Sequence, residues 1–211
     1  MPLTTKAVFF DVLGTLVELE PPWVGLRAAV PAEVSDERLV AAVRAEMAYY
    51  KEHSHEGRDA ESLADLRRRC AELISRELGV EVGVDDLVEA VRFQAYPDAA
   101  PALAALRERG LTVLAVSNWD CSLEAVLERC GLGEALDGAV SSAVAGARKP
   151  DPAIFQEALR MAGCAAEEVL HVGDTPEEDG AGAAAAGIRA LIVDREGAAD
   201  IASLAEVEDH L

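Results

Sequence analysis

Ala7-Val8-Phe9-Phe10-Asp11-Val12-Leu13-Gly14-Thr15-Leu16 sets four apolar residues in front of a carboxylate and a glycine shortly after it. A short apolar run with β-branched and aromatic residues, closed by a turn signal, reads as a buried strand. Glycine lets the chain turn sharply after it. A carboxylate at such a strand end is a nucleophile, a metal ligand or only a strand terminator, and the stretch alone leaves all three open.

Outward from this point the same arrangement recurs. Apolar runs at 112–116, 139–140 and 169–172 end in Ser117-Asn118, Ser141-Ser142 and Gly173-Asp174, and a fifth run covers 188–193. Helical patterns fill the intervals at 99–109, 122–129, 152–161 and 177–186. Strands alternating with helices at this spacing predict an α/β fold, a doubly wound parallel sheet covered on both faces. Ligands of such sheets bind beyond the carboxyl ends of the strands, where these polar residues fall. Residues 17–94 break the alternation, show no strong strand pattern, and read as helices, for example 36–50 and 62–78. The expected organisation is a core of 1–16 and 95–211 with a helical insert of 17–94 after the first strand.

The 211 residues carry a formal net charge of −20. A field of that sign repels nucleic acid and anionic membranes, so neither is expected as a partner. An anionic substrate would need a local cation to approach. Hydrophobic residues make up 51% and aromatics 4%, so the core is built mainly from Ala, Val and Leu. Cys70, Cys121, Cys130 and Cys164 form no CxxC pair and fit reduced thiols. The apolar run before Asp11 is too short for a signal peptide, and no uncharged stretch approaches the ~20 residues of a membrane span. A cytoplasmic protein is expected.

Two further segments complete the chemistry. Arg148-Lys149-Pro150-Asp151-Pro152 places a lysine just before a helix start, with Asp151 suited to the N-cap and Pro152 to the first helical position. Gly173-Asp174-Thr175-Pro176-Glu177-Glu178-Asp179 places one acid at a strand end and another five residues on. Each segment alone is an ordinary turn. Together, and in this order, they resemble the haloacid dehalogenase-like hydrolases over nearly the whole chain, with that family's four motifs matched at 11–16, Ser117-Asn118, Lys149 and 173–179. The insert resembles the family's C1-type helical cap.

The resemblance implies a hydrolase of small phosphorylated molecules. Asp11 would be the nucleophile forming an aspartyl-phosphate, and Lys149 would offset charge in the transition state. Thr15, Ser117, Asn118 and Lys149 would hold the phosphoryl group. Asp11, the Leu13 carbonyl and Asp174 would bind Mg²⁺, with Asp179 a further carboxylate reaching it directly or through water. Metal and lysine would then supply the local positive field that the surface denies.

One residue departs from the family pattern. Phosphatases of the family carry a second aspartate two positions after the nucleophile, serving as general acid and base. Leu13 stands there and can do neither, a loss typically worth ~10²–10⁴ in rate. The first reading is therefore a phosphohydrolase whose leaving group needs no proton or whose acid lies elsewhere, with Glu18, Glu20, His53 and His55 as substitutes. The second is 2-haloacid dehalogenase-type or phosphonate cleavage, since those branches also lack the second aspartate. Against dehalogenation, Gly173-Asp174 stands intact. Against phosphonate cleavage, Lys51 is the only lysine in the insert and looks like an exposed helix end. The third is a binding or regulatory protein with little turnover. Trp119 reads as a turn-packing residue as readily as a cavity lining, Cys121 as core, and His171 as a satisfied core histidine.

Overall fold

Every residue of β1 (Ala7–Phe10) is buried, as its composition requires of a central strand. The computed structural model describes residues 4–197 and 199–211. Beside β1 lie β4 (Thr112–Ser117) and β6 (Val169–Gly173), flanked in turn by β5 (Gly138–Ser141) and β7 (Arg189–Ile192). All neighbours are parallel, in the order β5-β4-β1-β6-β7. This is the expected α/β sheet. Phe10 is level with Ala115 on one side and Val172 on the other, so Asp11, Ser117 and Asp174 emerge together at one end of the sheet.

The pleat divides the core in two. Val8 and Phe10 join Val113, Ala115, Leu170 and Val172 under α5 (Ala99–Glu108) and α6 (Leu123–Arg129). Ala7 and Phe9 face the other way, with Leu114, Val116 and Val140, onto Ile154, Phe155 and Ala158 of α8 (Pro152–Ala162) and Ala183 of α9 (Ala181–Ala185). The start of α8 is as read from sequence: Asp151 caps it by accepting from the Ala153 amide at 2.9 Å, and Pro152 is its first residue.

Between β1 and β4 stand α1 (Pro22–Leu26), α2 (Asp36–His53), α3 (Ala60–Leu78) and α4 (Val84–Ala90), which bury an apolar cluster of their own, including Leu39, Val43, Leu66 and Ile74. Asp59 and Ser62 form a reciprocal capping box at the start of α3, and Gly79 closes it in the left-handed region.

Two elements differ from what the sequence predicts. The stretch 17–94 is not free of strands: β2 (Val17–Leu19) pairs antiparallel with β3 (Phe93–Ala95), joining the two linkers between sheet and helices. Three-residue strands are too short to show a period. The helix expected over 177–186 is instead a π-helical turn, Pro176–Gly180, running into the shorter α9. Such turns recur at functional sites, and this one carries Asp179 back beneath β6.

Candidate active site

The turn after β1 is wound tightly around one carbonyl. Val12 O accepts from the amides of Leu16 at 2.8 Å and Val17 at 2.9 Å, while Gly14 N donates to Val17 O at 2.8 Å. Leu13 is lifted out of the core, with 42% of its surface exposed, while Val12 is buried. Gly14 has a φ of +91°, and a Cβ there would lie 2.3 Å from Asp174 Oδ2. Only glycine accepts that φ and lets Asp174 come so near. Gly173 serves the other acid in the same way, since its Cβ would lie 2.1 Å from Asp179 Cγ.

Lys149 is almost entirely enclosed, at 2% exposure, and its ammonium sits between two carboxylates. Nζ lies 2.5 Å from Asp11 Oδ1 and 2.5 Å from Asp179 Oδ1. Ser117 Oγ donates to the same Asp11 oxygen at 2.9 Å. The ends of β1, β4 and β6, the loop before α8 and the π-helical turn, distant in sequence, thus bring together Asp11, Ser117, Lys149, Asp174 and Asp179.

Asn118 and Thr15 occupy different places from those expected of phosphate-holding side chains. Asn118 Oδ1 accepts from Lys149 N at 2.7 Å, and Nδ2 donates to Lys149 O at 3.1 Å and to Glu178 Oε2 at 2.9 Å. Its amide is engaged in holding the Lys149 backbone. Thr15 is fully buried; its hydroxyl has no hydrogen-bond partner among the described residues, and its carbonyl accepts from Arg195 at 2.8 Å.

The electrostatics follow from three acids facing one lysine. Burial works to raise Asp179, but the hydrogen bond from His171 and the charge of Lys149 outweigh it and hold the carboxyl below its usual range. Burial lowers Lys149, yet Asp11 and Asp179 together keep it raised. Asp11 is pushed up by burial against the pull of Lys149. Asp174 is pushed up to about 6, by burial first and then by the charges of Asp11 and Asp179. Its one hydrogen-bond partner among the described side chains is Thr175 Oγ1, at 3.3 Å. Asp11, Asp174 and Asp179 can each offer an oxygen within 4.8 Å of the others. A crowded, under-neutralised set of hard oxygen donors, in a cradle that a Cβ at Gly14 would fill, fits a divalent cation such as Mg²⁺.

The end of α2 and the turn after it lie against this region. Tyr50 Oη donates to Asp120 Oδ2 at 2.7 Å, Cys121 N donates to Gly57 O at 2.8 Å, and Lys51 Nζ lies 3.4 Å from Glu178. Trp119 packs on Phe93, with ring centroids 5.0 Å apart. Glu18, Glu20 and His55 are exposed, and His53 is tied to Tyr49 O at 2.8 Å. Among the described residues none of these four hydrogen-bonds to Asp11, Lys149 or Asp174.

Sequence reasoning missed Tyr50, Glu178 and the environment of His171. That histidine is only half satisfied: Nε2 meets Asp179 Oδ1 at 2.9 Å, while Nδ1 has no partner among the described residues. The signal was present in strand alternation, because 171 and 173 share a face and Asp179 packs against Gly173.

With this site on the sheet's carboxyl end, comparison with known proteins settles its class. The chain belongs to the haloacid dehalogenase-like hydrolase family, whose model matches residues 5–187. Phosphoglycolate phosphatase of Rhodospirillum rubrum is 30% identical over 223 aligned residues, covering 97% of this chain and 87% of that protein. Haloacid dehalogenase-like hydrolase domain-containing protein 3 of Bos taurus is 41% identical over 101 residues, a match that spans 48% of this chain and only 40% of that protein. Among solved structures, L-2-haloacid dehalogenase of Xanthobacter autotrophicus superposes with a TM-score of 0.69 at 27% identity, covering 91% of this chain and 78% of that one. No helix among the described residues is long and apolar enough to cross a membrane.

Proposed function

We propose that this chain is a Mg²⁺-dependent phosphohydrolase that cleaves small phosphorylated molecules through a covalent intermediate on Asp11, with residues 17–94 acting as a cap over residues 1–16 and 95–211. The observation that carries the reading is the convergence of Ser117 and Lys149 on one oxygen of Asp11. Two donors on Oδ1 fix the plane of the carboxylate, so Asp11 is aimed before substrate arrives. An Asp11 oxygen forms the bond to phosphorus as the bond from phosphorus to the leaving oxygen breaks. Water then attacks the aspartyl-phosphate and releases inorganic phosphate and the free carboxylate. Lys149 and Ser117, already at Asp11, meet the negative charge of the transferring group, and Lys149 together with a bound cation would supply the local positive charge that a net charge of −20 makes necessary.

Asp11, the Leu13 carbonyl and Asp174 would hold the metal, whose charge draws in the phosphoryl oxygens. Asp179 is the less available donor: Oδ1 already accepts from Lys149 and His171, and Oδ2 accepts from Thr175 N at 3.0 Å. Leu13 projects where a family phosphatase carries its acid and base, and no exposed acid or histidine nearby bonds to Asp11 in its stead. The leaving group therefore departs as an anion, which favours aryl phosphates, acyl phosphates and phosphoanhydrides.

The test is a set of aryl and alkyl phosphates of similar size, assayed with Mg²⁺ and with chelator. Rates should rise steeply as the leaving group becomes more acidic, vanish with chelator, and fall about 10⁴-fold or more in Asp11→Asn. Activity that survives in Asp11→Asn would sink the reading. Leu13 also favours a second reading, carbon–halogen cleavage, since halide leaves without a proton and the dehalogenase of Xanthobacter autotrophicus shares the fold. Chelator-resistant release of halide from a 2-haloacid would decide for it.

A further inference from the structure

His171 is the buried polar group that the proposed chemistry leaves without a task. We propose that it is a positioning residue for Lys149, acting through Asp179; the inference rests on the reading that Lys149 serves the transferring group. His171 is 0% exposed on β6, and its Nε2 lies 2.9 Å from Asp179 Oδ1, the same oxygen that is 2.5 Å from Lys149 Nζ.

A carboxylate oxygen only accepts, so Nε2 carries the hydrogen and donates it. In the neutral ring Nδ1 is then a bare lone pair, and Nδ1 is the atom without a partner among the described residues. The other tautomer would bury an unmet N–H at Nδ1 and set Nε2's lone pair against a carboxylate. Phe155 stands edge-on to the imidazole, centroids 4.9 Å apart and planes at 81°, and walls the ring in place. Asp179 Oδ2 is fixed separately by the Thr175 amide at 3.0 Å. Both oxygens are thereby held, and the lysine meets an anion that cannot turn. Lys149 has a four-carbon stem and no fixed direction of its own. The place of its ammonium against Asp11 is set by the rigidity of its second partner, and His171 provides half of that rigidity. Such outer residues typically carry 10–100-fold of activity although they touch no substrate.

The chain has only three lysines, and Lys6 and Lys51 are exposed. Labelling lysine ε-carbons with ¹³C therefore gives three NMR signals, and Lys149→Arg assigns the buried one. Two polar variants separate the hydrogen bond from mere packing. His171→Gln carries an amide nitrogen to the position of Nε2, whereas the amide of His171→Asn stops near Nδ1, short of Asp179. Without metal or substrate, the Lys149 signal should coincide in wild type and His171→Gln, and move towards the exposed lysines in His171→Asn. With Mg²⁺ and an aryl phosphate, kcat should fall about 10–100-fold in His171→Asn and largely return in His171→Gln, with KM within roughly 3-fold throughout. An unmoved Lys149 signal in His171→Asn overturns the proposal, as does a Gln variant that behaves like the Asn variant. A wild type inactive on every phosphate would overturn the functional reading instead, and the Lys149 signals, recorded without substrate, would still decide the role of His171.

Discussion

Two regions meet at the end of this sheet, and they are held by different physics. Beneath lies a closed set of charges in which Lys149, Asp11, Asp179 and His171 are each nearly or wholly enclosed and share oxygens at 2.5–2.9 Å. Above lie helices with a separate apolar cluster, joined to the sheet by a short ribbon and a few polar contacts at Tyr50, Lys51 and Gly57. In the lower region each partner is expensive to remove, because a buried charge is left alone. In the upper region water can replace most of what is lost. A fold built this way can keep the buried charges fixed while the helices above them change.

The boundary between the regions is where the largest remaining effect is expected. Leu13 belongs to the tightly wound turn by its backbone, yet its side chain is exposed. Leu13→Asp therefore adds a carboxylate without burying it. Turnover of alkyl phosphates should rise by up to ~10²-fold, and that of aryl phosphates far less, because only the former need a proton. Equal rates before and after, on both classes, would show that proton supply is not what limits this enzyme.

Tyr50 tests the upper region at its most buried contact. Asp120 is 3% exposed, and its Oδ2 accepts from Tyr50 while Oδ1 accepts from Ser122 N at 2.7 Å. Tyr50→Phe leaves one buried carboxylate oxygen without its donor, which costs about 1–3 kcal/mol. For a chain of this length that is a fall in Tm of roughly 2–4 °C per kcal/mol. KM should change more than kcat, since nothing at Asp11 is touched. An unchanged Tm would show that the helices do not rest on Asp120 in solution.

How much of this was legible in the sequence depended on the range of the interaction. The strand ends are readable because apolar runs and the residues that stop them are local, and Asp11, Ser117 and Gly173-Asp174 stand at such stops, while Lys149 is marked by the helix-start signal Asp151-Pro152 that follows it. The ribbon of β2 and β3 was not, because its strands lie more than seventy residues apart and are three residues long. The amide of Asn118, within the family motif it shares with Ser117, suits a phosphoryl oxygen, and only the folded chain shows it engaged with Lys149, 31 residues away. The π-helical turn was hidden by the Ala-rich pattern that follows it. Burial of His171 predicts a partner but does not say that the partner is Asp179, whose same oxygen meets Lys149.

Asp174 offers a smaller effect, read through pH. In the metal-free protein its carboxyl is raised from an ordinary 3.8 to about 6. The folded state thus holds that proton more tightly than the unfolded chain does. The resulting stabilisation is complete below about 3.8 and is lost as pH rises through about 6. Metal-free wild type should match Asp174→Asn at pH 4 and fall below it by pH 7, by on the order of 1 kcal/mol once partial exposure is allowed for. Adding Mg²⁺ should reverse the order at pH 7 by mass action, and the gain should shrink below pH 6 as protons compete. A variant stabilised by Mg²⁺ as much as wild type would remove Asp174 from the metal site.

Lys51 should show the smallest effect, and that smallness separates a contact from a catalyst. It is the only lysine between residues 17 and 94, and it faces Glu178, which also accepts from Asn118. On paper the chain Lys51–Glu178–Asn118–Lys149 connects the upper region to the buried ammonium. The first link is poor: the distance is 3.4 Å and 69% of the Lys51 side chain is exposed. A pair of that kind contributes about 0–1 kcal/mol, because holding a long flexible side chain offsets a screened attraction. The second link does not need the first, since Glu178 stays beside Asn118 whether or not a cation stands over it. Lys51→Ala should therefore keep kcat and KM within roughly 3-fold of wild type and move Tm by no more than about 2 °C. A loss of 100-fold in kcat would mean that Lys51 reaches the reacting atoms, and the division between an essential lower region and a replaceable upper one would fail at that residue.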